Sequence, residues 1–312
     1  MLGRGFRRLA VVAVLGACVS TASSPAAYAA FPGANGRIVF DTAERFFQGT
    51  GSSQIYTVRP DGSGLRQLTH VPDGVSAWQP RVSPGGGSIL FVMSAENQND
   101  QLWLMRSDGS HQHPLLEEPA WQQGSGAFTP TGRIVYSRCG EYVPHFFTCH
   151  LVSVRRDGSD RRTLVGGSWH PSGPAVASDG TIAYISDKGG YDARIWLADA
   201  DGSNPHPIGP TFGVEGLSWA PDASHLVFDG NFHEHVVTVY TVAADGSDLQ
   251  KVASLGSFPS WSPNGRWLVF RTEANGTFTD LEVTRPDGSD ASTLLSSDDL
   301  SGIGFSDWAV AR

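Results

Sequence analysis

At 312 residues, with 40% hydrophobic and 17% charged positions, the chain can fill a large core and is neither disordered nor fibrous. A formal net charge of −9, spread along the sequence, argues against nucleic acid as a partner, since phosphates need a basic footprint and none occurs. Gly at 37 residues and Trp at 9, with aromatic and β-branched runs between Gly-rich turns, point to an all-β chain.

The N-terminus places Arg4, Arg7 and Arg8 before the apolar run LAVVAVLGACV and small residues ending in AYAA. This order predicts a signal peptide over 1–29, cut after Ala29, and a single domain over 30–312. The run is too short to span a bilayer as a permanent helix. A second reading stays open: LGAC, 15 to 18, resembles a lipobox in which Cys18 is acylated and becomes the mature N-terminus. A membrane tether enters only through that second reading. Under either, the remainder is expected outside the cytoplasm, secreted or in the cell envelope.

The next element is a strand, GRIVF at 36 to 40, followed by IYTV and the turn Asp61-Gly62-Ser63. Asp-Gly-Ser then returns at 108, 157, 201, 245 and 287, so successive copies lie 47, 49, 44, 44 and 42 residues apart. Six residues before each Asp stands Ile55, Leu102, Leu151, Ile195, Val239 or Leu281. Seven after it stands Leu68, Leu115, Leu164, Ile208, Val252 or Leu294. Asp-Gly between strand-like runs is a hairpin signal, because both residues tolerate the positive φ of a tight turn. From the second repeat onward another hairpin precedes each of these: WQPRVSPGGGSILFVM, GAFTPTGRIVYS, GPAVASDGTIAYIS, LSWAPDASHLVFD and PSWSPNGRWLVFR.

Two hairpins in about 45 residues make one four-stranded propeller blade. The chain begins part-way through a unit and ends with a strand left over, GIGFSDW at 302 to 308. The predicted fold is therefore an all-β, six-bladed β-propeller of four-stranded antiparallel blades. Its ring closes where the C-terminal strand pairs with the N-terminal blade. Closure also removes the open edges that invite aggregation. In the third unit Cys139 and Cys149 bracket GEYVPHFFT between two strands. Export puts them in an oxidising compartment, and a disulfide across the hairpin is expected.

WSPNGRWLVF at 261 to 270 and VYTVAADGSDLQKV at 239 to 252 resemble the repeat of TolB-type, WD-repeat-like six-bladed propellers of bacterial periplasmic and secreted proteins. The resemblance spans roughly residues 36 to 308 and rests on turns and core strands. It implies a periplasmic or secreted partner-binding module, without the extra N-terminal domain of TolB itself. A calcium reading of the triplets fails at DADGSN, 199 to 204, because Leu197 and Ile208 occupy positions where an EF-hand loop needs carboxylates.

If the strands of a blade run A to D outward from the axis, the Asp-Gly-Ser turns lie on one face. Irregular loops lie on the other, the face where repeat proteins place binding loops. Its aromatic and His residues are the candidate binding positions: Phe46, Phe47, Trp121, Tyr142, His145, Phe146, His170, Tyr191, Phe212, Phe232, His233 and His235. Exposed aromatics around a central channel fit a protein or saccharide ligand. Catalytic residues, a metal site and cofactors are not expected. His233 and His235 give two imidazoles, and two ligands do not make a metal site. Some polysaccharide lyases are propellers with a channel metal held by His and Gln, and His170, Gln122 and His145 are the residues here able to converge so. No G-x-S-x-G elbow occurs. Glu117-Glu118 and Asp298-Asp299 are adjacent in sequence, so each pair points apart. The expected function is non-catalytic recognition by a monomer; the alternative is a metal-assisted polysaccharide lyase or hydrolase acting at the channel.

Overall fold

A computed structural model of the chain describes residues 31–42, 52–140, 148–166, 170–187, 193–209, 213–231, 236–274, 277–296, 300 and 302–312, with the backbone alone at 215, 231, 273, 274 and 277–279. Among them are 24 strands in six four-stranded antiparallel sheets arranged as the blades of a propeller. Blade 1 is β24 (Ser306–Val310), β1 (Asn35–Asp41), β2 (Ile55–Val58) and β3 (Arg66–Gln67), from the axis outward. Blade 2 is β4 (Val75–Val82), β5 (Ser88–Ala95), β6 (Gln101–Arg106) and β7 (His113–Pro114). Blade 3 is β8 (Gln122–Phe128), β9 (Ile134–Cys139), β10 (Cys149–Val154) and β11 (Arg162–Val165). Blade 4 is β12 (Ser172–Val176), β13 (Ile182–Ser186), β14 (Arg194–Ala198) and β15 (His206–Ile208). Blade 5 is β16 (Gly213–Trp219), β17 (His225–Asn231), β18 (Thr238–Ala243) and β19 (Gln250–Ser254). Blade 6 is β20 (Gly256–Trp261), β21 (Leu268–Ala274), β22 (Thr277–Thr284) and β23 (Ser292–Leu295).

The second strand of each blade is apolar on both faces, as in Ser-Ile-Leu-Phe-Val of β5, because each face is covered by a neighbouring blade. The cores accordingly lie between blades. One joins Val39 and Ile55 of blade 1 to Phe91 and Met105 of blade 2; another joins Leu151 and Val165 of blade 3 to Tyr184 and Trp196 of blade 4. All six aliphatic residues preceding the triplets are buried.

Ring closure pairs β24 with β1, with Ile38 opposite Trp308, Val39 opposite Asp307 and Phe40 opposite Ser306. The pairing continues through Asp41 N to Phe305 O at 3.1 Å and Gly304 N to Asp41 O at 2.7 Å. The closing strand thus runs two residues further than the stretch expected from sequence, to Val310 opposite Asn35.

The Asp-Gly-Ser turns are alike because their carboxylates do the same local work. Asp61 Oδ1 accepts from Ser63 N at 2.9 Å and Ser63 Oγ at 2.7 Å, and the turns at 108, 157, 245 and 287 repeat both bonds. At the remaining turn Ser203 N bonds Asp201 while its hydroxyl bonds Asp199. These bonds from serine hold all six carboxyls below the usual range. The glycine of each turn presses on the outer strand of the preceding blade: Gly109 against Leu68, Gly158 against Leu115, Gly202 against Leu164 and Gly288 against Val252. The aliphatic residues that follow each triplet therefore mark where the next blade leans.

Cys139 and Cys149 face each other across β9 and β10 and are joined by a disulfide, with Cα atoms 4.1 Å apart. The bridge closes a short loop, 10 residues in separation. The chain-entropy argument gives a loss of about 2–3 kcal/mol on opening it. We expect the double variant Cys139→Ser, Cys149→Ser to show that loss in urea unfolding, with reduced wild type matching it.

Candidate functional site

The inner strand of each blade runs from the irregular face toward the turn face. In blades 2 to 6 it carries a break in register: between Trp78 and Arg81, Gly124 and Gly126, Ser172 and Ala175, Val214 and Leu217, and Ser257 and Ser260. A bulge leaves backbone N–H groups without a ladder partner, and buried N–H groups must be satisfied. Carboxylates supply the acceptors. Asp41 Oδ1 accepts from Gln79 N at 3.1 Å and Phe305 N at 3.0 Å, joining blade 2 to the closing strand. Asp229 Oδ1 accepts from Gly216 N at 2.7 Å. Asp307 accepts from Val82 N at 2.7 Å through Oδ2 and from Ser260 Oγ at 2.9 Å through Oδ1, joining blades 2 and 6.

Asp41, Asp229 and Arg271 occupy the same place of the repeat, directly after the apolar run of the second strand, in blades 1, 5 and 6. All three are buried. Arg271 Nε donates to Ser257 Oγ at 2.8 Å, and its guanidinium lies 4.3 Å over the Phe258 ring. Burial pushes the Asp41 carboxyl up to about 7, against the N–H bond from Gln79 and the charge of Arg271. Burial also raises Asp307, opposed by Arg81.

Toward the irregular face from this polar layer, rings of blades 2 and 6 meet the closing segment. Phe258 and Phe305 have centroids 3.7 Å apart, and Trp78 lies 5.8 Å from Phe305. Below it, inner strands of all six blades line a cavity of about 70 Å³, bordered among others by Arg81, Ala127, Ala175, Ser218, Ser260 and Asp307. Phe31 lines it from the N-terminal segment, whose Gly33 N bonds Pro263 O at 3.1 Å on the turn face.

Of the twelve candidate binding residues, the structure describes Trp121 and His170. The other ten, Phe46, Phe47, Tyr142, His145, Phe146, Tyr191, Phe212, Phe232, His233 and His235, lie outside the described residues, as do Cys18 and the cleavage point after Ala29. Trp121 is half-buried, with the Arg138 guanidinium 3.5 Å from its ring. Arg138 in turn pairs with Glu118 at 3.0 Å. His170 stands two residues before the inner strand of blade 4 with φ 42, and its Nδ1 lies 3.1 Å from Asp187 Oδ2. Gln122 donates to Asp100 at 3.2 Å, so it and His170 have different partners. Among the described residues no three His, Cys, Asp or Glu side chains are grouped to hold a metal ion.

The buried acids and Arg271 are not among the binding residues expected from sequence, all of which belong to predicted loops. A signal existed: a charge following the same apolar run in IVFD (38–41), LVFD (226–229) and LVFR (268–271).

No family model matches the chain. An uncharacterized protein of Agrobacterium fabrum is 25% identical over 195 residues, covering 57% of this chain and 62% of that protein. The chain thus spans less than two-thirds of that relative's length. Among solved structures, TolB from Acinetobacter baumannii is similar with a TM-score of 0.70 at 15% identity, over 88% of this chain and 67% of TolB. An oligogalacturonate lyase in complex with manganese gives 0.57 at 16% identity, over 87% of this chain and 78% of the lyase. A puromycin-hydrolyzing peptidase of Mycobacterium tuberculosis gives 0.54 at 17% identity, over 84% of this chain and 45% of the peptidase. At these identities the likeness is one of fold, and three different proteins share it.

Proposed function

We propose that this chain is an exported propeller that recognises a protein or saccharide ligand at the cell envelope or outside the cell, without catalysing a reaction on it. The observation that carries this reading is that the acids beside the inner strands accept hydrogen bonds from the fold itself. Asp41 accepts from Gln79 N and Phe305 N, Asp229 from Gly216 N, and Asp307 from Val82 N and Ser260 Oγ, while Phe258, Phe305 and Trp78 pack against one another. A ligand is then met by loops of the irregular face rather than by the channel. The N-terminal pattern of Arg4, Arg7 and Arg8, the apolar run and Ala29, together with the resemblance to TolB-type repeats, supports export. Cys18 is the tether if the lipobox is used.

One observation favours the second reading, a carbohydrate-active enzyme. His170 pairs with Asp187 on the irregular face in a left-handed backbone conformation, the kind of strain that collects at functional sites. A fold neighbour is a lyase solved with manganese. The two readings separate by experiment. Photo-crosslinkers at Gln98, on the irregular face, and at Thr131, in a turn of the opposite face, are expected to give an adduct in the producing cell from Gln98 alone. Oligogalacturonate incubated with the protein and manganese is expected to show no new double bond. Formation of unsaturated product, lost in His170→Ala, would make the protein an enzyme and overturn the binding reading.

A further inference from the structure

Blades 1 and 3 carry arginine at the same three places of the repeat. These are the start of the second strand (Arg37, Arg133), the end of the third (Arg59, Arg155) and the start of the fourth (Arg66, Arg162). No other blade has arginine at more than one of them. The first arginine is held identically in both. Arg37 Nε donates to Thr57 Oγ1 at 3.0 Å and Arg133 Nε to Ser153 Oγ at 2.7 Å, while the Nη2 atoms donate to the carbonyls of Gly64 and Asp160.

The two blades differ at the centre of the set. In blade 3 the Asp160 carboxylate closes it: Oδ2 lies 2.8 Å from Arg133, 3.5 Å from Arg155 and 3.0 Å from Arg162. Blade 1 has Gly64 at that position, with nearly the same backbone, φ 65 against 52. A Cβ on Gly64 would lie 2.8 Å from Arg59 Nη1 and 3.6 Å from Arg37 Nη1. The Arg59 and Arg37 guanidiniums therefore flank the spot from which the blade 3 carboxylate extends, Arg59 also donating to Ser63 Oγ at 3.3 Å, while Arg66 donates to Asp108 O at 2.9 Å. Asp61 bonds Ser63 and lends its charge to Arg37 and Arg59 from a distance, and among the described residues no carboxylate is within ion-pair distance of Arg37, Arg59 or Arg66. Crowding leaves a trace: Arg37 is pushed below the usual guanidinium range by its burial and by Arg59 and Arg66.

We propose that Arg37 and Arg59, with the charge of Arg66 beside them, form a binding site for the carboxylate of an acidic ligand, which takes the place the Asp160 side chain fills in blade 3. Blade 3 is the built-in complex and blade 1 the receptor. The charge set suits a single oxyanion group held by several guanidinium donors. This site lies on the turn side, so its failure leaves the reading of the irregular face standing.

The test is a titration of the arginine Nε signals by nuclear magnetic resonance at constant ionic strength. The probes are galacturonate, glucose and inorganic phosphate. Galacturonate is expected to shift Arg37 and Arg59 saturably, with Arg133 unmoved and glucose silent. Gly64→Asp supplies the carboxylate internally. It is expected to weaken galacturonate binding at least tenfold and to raise the thermal midpoint. Gly64→Ala adds bulk without charge, and is expected to leave the midpoint at or below that of wild type. Shifts that do not saturate, that survive unchanged in Gly64→Asp, or that appear with phosphate but not galacturonate would overturn the proposal.

Discussion

Replacing Asp41 by alanine is expected to cost about 3–5 kcal/mol of unfolding free energy, the range for removing one partner from a buried charged network. The loss has two sources. Gln79 N and Phe305 N lose their shared acceptor at the seam where the ring closes, and Arg271 loses a nearby negative charge. Asp41→Asn keeps an oxygen for both N–H groups and drops the charge, so it separates the two sources. The pH dependence fixes the sign. Because the folded carboxyl titrates at about 7 instead of 3.8, the folded state holds its proton more tightly than the unfolded chain. This group's contribution is therefore full at acid pH and declines as pH rises through about 4 to 7, by at most about 4 kcal/mol. The raised Asp307 adds the same sign. Wild type should show urea midpoints falling from pH 5 to pH 7.5. Asp41→Asn should flatten part of that fall and equal or exceed wild type at pH 8. If it instead loses as much as Asp41→Ala, the charge facing Arg271 holds the seam, and the N–H bonds are secondary.

The second large effect is expected at Gly202. It has φ 85, and a Cβ there would lie 2.2 Å from Leu164 O and 2.6 Å from the Leu164 carbonyl carbon. Those are backbone atoms of the preceding blade and cannot move without parting β11 from the turn that joins β14 to β15. Alanine should cost about 1–2 kcal/mol for the left-handed conformation and a further 1–3 for the displaced contact. Gly132 is the control: φ is 79 and a Cβ would meet nothing within 4 Å. Gly132→Ala should show only the conformational part. Equal urea midpoints for the two variants would mean that the turn does not fasten one blade to the next.

Both effects sit on features that differ in how far sequence reveals them. The triplets, with an aliphatic residue six before and seven after, were legible because a hairpin is a local object whose turn chemistry and strand pattern are written in adjacent residues. The Cys139–Cys149 bridge was legible for the same reason, being a cross-strand pair in one hairpin. Asp41 was not. In sequence it reads as a polar residue ending a strand, and its partners are 38 and 264 positions away. Trp121 was legible as an aromatic in a loop, but not that Arg138 covers it. The repeated arginines of blades 1 and 3 could be aligned by eye, yet the contrast between Gly64 and Asp160 has meaning only when the side chains converge.

By itself, then, the sequence determined the repeat, the number of blades and the strand that completes the first of them. Those follow from periodic burial and turn geometry, which act over a few residues. The tertiary structure decided which side chains meet near the axis and where charges meet. The bulge of blade 2 turns the Gln79 N–H to Asp41 of blade 1, which also takes Phe305 N of the closing segment, and only the closed ring brings these three together.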